Sequence, residues 1–140
     1  MSDEQSDPIE ISFKDLGGVD VFAKAVAEAR NVFAGKPADF DPGADDAVPH
    51  VAGMSPEVVK ATMEVEMRAS ARHFAFIVAE NEWLEASGLD VDPSMQNMRM
   101  VCELAAEGVG LDPDELLGEA RDAFAVFLDD TVKANRGRQN

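Results

Sequence analysis

The chain has 140 residues, 46% of them apolar, and its 28 Asp and Glu against 12 Lys and Arg give a formal charge of −16. That length and apolar share suit one globular domain and exclude wholesale disorder. The charge excludes direct binding to bare nucleic acid or to an anionic membrane surface, since both would repel it.

Residues 1–8, "MSDEQSDP", read as a disordered acidic tail, because they are polar and lack the basic and apolar stretches of a targeting peptide. Residues 9–13, "IEISF", alternate apolar and polar side chains, the period of a short strand. A single domain over 9–134 follows. Its first helix is predicted at about Val19 to Phe33. There Val21, Phe22, Ala25, Val26, Ala29, Val32 and Phe33 share a face, and Gly35 and Pro37 end the run. Residues 35–54 hold three Pro and three Gly with no period, and read as a long loop.

The next helix opens with a strong signal. Ser55 is the cap, Pro56 occupies the first helical position and Glu57 complements the dipole. No Pro or Gly follows until Gly88, which predicts one long central helix over 55–87. A third helix is predicted from the cap Asp92 and Pro93 to about Glu107, with Met98, Val101, Cys102 and Ala105 on one face. A fourth starts on the same grammar at Asp112 and Pro113. Its stripe is Leu116, Leu117, Ala120, Ala123, Phe124, Phe127 and Leu128. Residues 135–140 read as a flexible basic tail. The expected fold is all-α: a four-helix bundle-like domain built on the long central helix, with the short N-terminal strand as an addition.

The central helix is too long for the domain it serves. A compact chain of this size has a radius of gyration of ~14 Å, whereas a straight 55–87 helix measures ~48 Å. Its side chains also form two apolar stripes where a surface helix needs one. Val59, Met63, Met67, Phe74, Ile77 and Val78 make the first. Val58, Val65, Ala69, Phe76 and Trp83 make the second, roughly opposite, and are the expected interface with another chain. Between them run two polar edges. Glu64, Arg68, Arg72 and Glu82 form one, with Glu64 and Arg68 in the favourable i,i+4 order and Arg72 facing solvent. Glu66, His73 and Glu80, seven residues apart, form the other, a polar seam with His73 as a hydrogen-bonding group between the stripes.

Few residues suggest chemistry. Glu66, His73 and Glu80 are each ~10.5 Å apart along a helix, too far to share an ion. Glu103 with Glu107 and Glu115 with Glu119 sit on polar faces and read as solvated. "DFDPGADD" departs from a calcium loop, because His50 stands where a bidentate Glu is required. Cys102, the only cysteine, excludes an intrachain disulfide and falls on an apolar face as a buried thiol. Met63, Met67, Met95, Met98 and Met100 fit an adaptable surface or a core. No catalytic residue, cofactor site or metal site is predicted, and no apolar run is long enough to span a bilayer.

The acidity admits two readings. An acidic, Lys-poor surface stays hydrated in molar salt, where a Debye length of ~3 Å removes self-repulsion. Such a composition is similar to that of cytosolic proteins of salt-accumulating archaea and their viruses. An inhibitor that imitates DNA instead needs dense carboxylate rows, about one charge per 1.7 Å. The acids here gather near the N-terminus, at Asp39, Asp41, Asp45 and Asp46, and around the last helix. The expected function is therefore non-enzymatic: a structural or assembly subunit of a homo-oligomer in a salt-rich cytoplasm or virus particle, with the long helix or the 35–54 loop as contact. A nucleic-acid mimic and a carboxylate-bridged metal enzyme are the alternatives.

Overall fold

The computed structural model describes residue 14 and residues 16–41, 52–88 and 97–139. Four helices and no strand occur among them: α1 (Val19–Phe33), α2 (Pro56–Ala86), α3 (Met98–Gly108) and α4 (Pro113–Gln139). The fold is an all-α, bundle-like one with α2 at its centre, since α2 contacts each of the other three. No described helix is long and apolar enough to cross a membrane. The expected strand at 9–13, residues 42–51 of the 35–54 loop with His50, Met95 and the start expected for the third helix at Asp92 lie outside the described residues.

Helix ends follow local chemistry. The Ser55 hydroxyl accepts the Val58 N–H at 3.3 Å, and Asp112 Oδ1 accepts the Asp114 N–H at 3.0 Å. At the end of α1, Gly35 takes a positive φ of 87°. The Lys36 N–H then reaches the Asn31 carbonyl at 2.9 Å and the Gly35 N–H reaches Val32 at 3.0 Å, a Schellman stop. The buried Asn31 side chain donates to the Ala38 and Phe40 carbonyls, so the turn after α1 is fixed and Lys36 is aimed at α2. Gly17 is required for a different reason. Its φ is 90°, and a Cβ there would lie 2.9 Å from Val21 Cγ1.

The core forms where α1, α3 and α4 meet the C-terminal half of α2. Leu16, Phe22, Val26, Ala71, Ala75, Phe76, Val78, Ala79, Cys102, Ala106, Leu117, Ala120 and Phe124 are among its buried members. Small residues on α2 and α3 allow close approach, and the Cys102 thiol points at the Ala71 carbonyl, 3.7 Å away. Aromatic rings fill the other side. Phe76 lies between Phe33 of α1 and Phe124 of α4, and Trp83 between Phe22 and Phe124.

Several expectations are corrected. Val21 and Val32 of α1 and Val101 of α3 point outward, so those core faces are narrower than the wheel suggested. The helix α4 continues to Gln139, through residues read as a flexible tail. Nothing after Pro113 breaks it except Gly118 and Gly137, and an isolated glycine costs a helix only about 1 kcal/mol.

Candidate functional site: the long helix

Helix α2 is unbroken for 31 residues, about 46 Å at 1.5 Å per residue. Val58, Thr62, Val65, Ala69, Arg72, Phe76, Ala79 and Trp83 follow one another at alternating steps of four and three, so they form one continuous seam. The two ends of that seam have different fates. Phe76 is 1% exposed and Ala79 is buried, while Val58 is 49% and Val65 61% exposed. Of the five expected interface residues, then, Phe76 and Trp83 are engaged by the chain's own α1 and α4. Val58 and Val65 remain on the surface, and Ala69, between Val65 and Phe76, is half-buried. The wheel treats a helix as uniform along its length and cannot register where its neighbours stop.

The two polar edges of α2 are stitched to neighbouring helices. On one, Glu66 accepts Lys36 Nζ at 2.9 Å and Glu80 accepts Arg30 Nη2 at 2.8 Å, both cations coming from α1 or its terminal turn. His73 lies between those pairs, with its ring edge-on to Phe74. Burial, and then the positive charge of Arg30, push the His73 imidazole below its ordinary value of 6.5. The seam of Glu66, His73 and Glu80 is thus the α1 docking line.

On the other edge Glu82 receives a bidentate Arg121 at 2.7 and 2.8 Å, which holds its carboxyl below the usual range. Arg72, expected to face solvent, is half-buried. Its Nε donates to the Phe33 carbonyl at 2.7 Å, and its guanidinium stacks 4.2 Å from the Phe33 ring centre. It therefore caps the C-terminal end of α1, where a cation is favoured. The cations Arg30, Lys36, Arg72 and Arg121 were not singled out as partners from sequence. The clue was present: carboxylates repeating every seven residues along an otherwise apolar helix call for cations opposite.

No part of α2 offers a convergent polar site. Among the described residues no group of three or more His, Cys, Asp or Glu is placed to hold a metal ion. Cys102 is fully buried, and burial raises its thiol, which keeps it protonated and unreactive. Shallow grooves occur among the described residues. One of about 410 Å³ runs between α1 and α4 over Val32, Phe33, Phe76, Val126 and Phe127. Another, of about 360 Å³, lies beside α3 over Met100, Leu104 and Pro113, edged by Glu103, Glu107 and Asp114.

The N-terminal half of α2 exposes four large apolar side chains, where α1 exposes Val19, Val21 and Val32 and α3 exposes Met100, Val101 and Leu104. Met63 is 50% and Met67 39% exposed, in addition to Val58 and Val65. Met67 rests against the end of α3, its Cε 3.1 Å from where a side chain on Gly108 would begin. Beyond that contact α2 carries a further three turns toward Pro56 with apolar residues on two sides. Met98, by contrast, packs against the core, while Met100 is exposed on α3. Compared with known proteins, the chain matches no family model, no curated protein and no solved structure.

Proposed function

We propose that this chain is a non-enzymatic association subunit that pairs with copies of itself through the N-terminal half of α2. The observation that supports this most is the split seam. The same row of side chains that buries Phe76 and Trp83 inside the molecule continues as Val58, Thr62 and Val65 on its surface. A helix exposing apolar residues in register with its own core is suited to receiving another helix.

The setting we propose is salt-rich, in the cytoplasm or in a particle assembled there. Copies charged at −16 repel one another over about 10 Å at 0.1 M salt and over about 3 Å at 1 M. Self-association is therefore strengthened by salt. The inhibitor reading is weaker, because a DNA mimic presents open carboxylate rows. On α2 three of the six carboxylates, Glu66, Glu80 and Glu82, are occupied by Lys36, Arg30 and Arg121. The double substitution Val58→Glu, Val65→Glu tests the proposal. It is expected to leave the helical circular dichroism intact and reduce the species in solution to monomer at every salt concentration. A parent chain and double variant of identical mass throughout would overturn it.

A further inference from the structure

Resting on that reading, we infer that the two copies lie antiparallel, related by a two-fold axis near residues 63 and 64, with Val58 facing the partner's Ala69 and Thr62 facing the partner's Val65. Three observations lead to this arrangement. The first is steric. From Arg72 onward the seam face of α2 is occupied by α1 and α4, as the Phe33, Phe124 and Phe22 contacts of Phe76 and Trp83 demonstrate. A parallel mate lying on the seam would bring its own α1 and α4 to the same level and into collision. An antiparallel mate keeps its body beyond the opposite end of the overlap.

The second is charge. Glu57, Glu64 and Arg68 fall within about 40° of one another on one flank of α2 at 3.6 residues per turn, with carboxylates toward the N-terminus and the cation toward the bundle. About a two-fold, parallel pairing turns this flank toward the partner's opposite flank, that of Glu66, and leaves Glu57 and Arg68 about 16 Å apart along the axis. Antiparallel pairing brings Glu57 within two residues of the partner's Arg68, twice over by symmetry, against one meeting of the two Glu64 side chains near the axis. The overlapping segment is nearly balanced in itself. Glu57, Glu64 and Glu66 stand against Lys60 and Arg68, and Glu66 already holds Lys36.

The third is the distance between the acidic bodies. Pairing residue 58 with residue 69 places the two Phe76 positions 25 residues apart along the common axis, about 38 Å. At 0.01 M salt, where the Debye length is about 30 Å, the bodies still repel across that gap, and added salt screens what remains. The overlap joins the balanced parts of two strongly charged molecules and separates the rest. Its layers are Val, Ala and Thr, which allow close helix approach.

Disulfide trapping tests the geometry. Val58→Cys and Ala69→Cys are made as separate single variants, and helicity and mass are checked for each; Cys102 is buried and stays out of the reaction. In the antiparallel dimer residue 58 meets residue 69, while each lies about 16 Å from its own copy, beyond disulfide reach. Oxidation of the mixture is expected to give a covalent dimer, and oxidation of either variant alone is not. Self-linking of a single variant, or a dimeric chain that links in no combination, overturns the antiparallel seam and leaves self-association standing. A chain that is monomeric throughout overturns both.

Charge reversal provides an arm that does not depend on cysteine. Glu57→Arg or Arg68→Glu alone is expected to weaken dimerisation about 3- to 10-fold at low salt, and the double reversal to restore it. Restoration does not occur in a parallel pair, where Glu57 and the partner's Arg68 lie about 16 Å apart along the axis. Its absence in a dimer that both single reversals weaken also overturns the arrangement.

Discussion

Phe76 and Val65 occupy the same seam of α2, and the account requires their truncation to have opposite consequences. Replacing Phe76 with Ala removes a ring that is 1% exposed and centred 5.7 Å from Phe33 and 5.5 Å from Phe124. Buried Phe→Ala changes cost about 3–5 kcal/mol, and aromatic pairs of this geometry contribute about 0.5–1.5 kcal/mol each within that figure. Phe76 also lines the groove between α1 and α4, so the space left behind opens to water and is not a sealed void. That places the expected loss at about 3–4 kcal/mol, a large part of the roughly 5–15 kcal/mol that stabilises a domain. The melting temperature falls by about 10–20 °C in consequence. Val65→Ala removes methyl groups that already stand in water, and Ala is the better helix former. Its effect on the monomer is within about 0.5 kcal/mol of zero. Urea unfolding measures both, followed by circular dichroism and by the fluorescence of Trp83, the only Trp and a neighbour of Phe22 and Phe124. The comparison is made at the lowest workable concentration, where association does not contribute. A Phe76→Ala cost below about 1 kcal/mol, or equal costs for the two variants, would refute the division of the seam into a covered and an uncovered half.

Two further outcomes follow from the polar edges of α2. Arg72→Ala loses the hydrogen bond to the Phe33 carbonyl and the stacking on its ring, and should destabilise by about 1–2 kcal/mol; Arg72→Lys should recover only part, because Lys lacks the planar fork. Thermal denaturation of the two variants checks this ranking. Acid should weaken the α1 docking line. The folded state holds His73 below 6.5, so between that value and the folded one the unfolded chain binds more protons. The His73 contribution is therefore complete above pH 6.5 and is lost as pH falls below it. The part contributed by Glu82, whose carboxyl is lowered by Arg121, goes at lower pH, below about 4.5. His73→Gln should flatten the stability profile near pH 6 and leave the steeper acid limb. An unchanged profile would remove His73 as its source.

The sequence and the structure agree best where local chemistry acts alone. Ser55 with Pro56, Asp112 with Pro113, and Gly35 with Pro37 mark helix limits through caps and blocked backbone geometry, which need no tertiary information. The long helix and the stripe of α4 were legible because apolar spacing at the helical period reports burial directly. The reading fell short wherever the answer depended on how far a neighbour extends. Val58 and Phe76 have the same side of the helix and the same apolar character, yet only Phe76 lies within reach of α1 and α4. Arg72 looked solvated because the sequence places it beside Glu64 and Arg68. Its partner is the backbone carbonyl of Phe33, which no sequence pattern marks. Glu66 and Glu80 find their cations on α1 and its terminal turn, some fifty residues away in the case of Arg30. The same limit governs function: a seam can be read, but what covers its open half depends on a second molecule.

Sedimentation of the unmodified chain over a concentration series, repeated from low to molar salt, tests the central claim most directly. The account predicts a monomer of 15.1 kDa at low concentration and low salt, passing to twice that mass as either is raised. A mass that stays at that of one chain under every condition would contradict it.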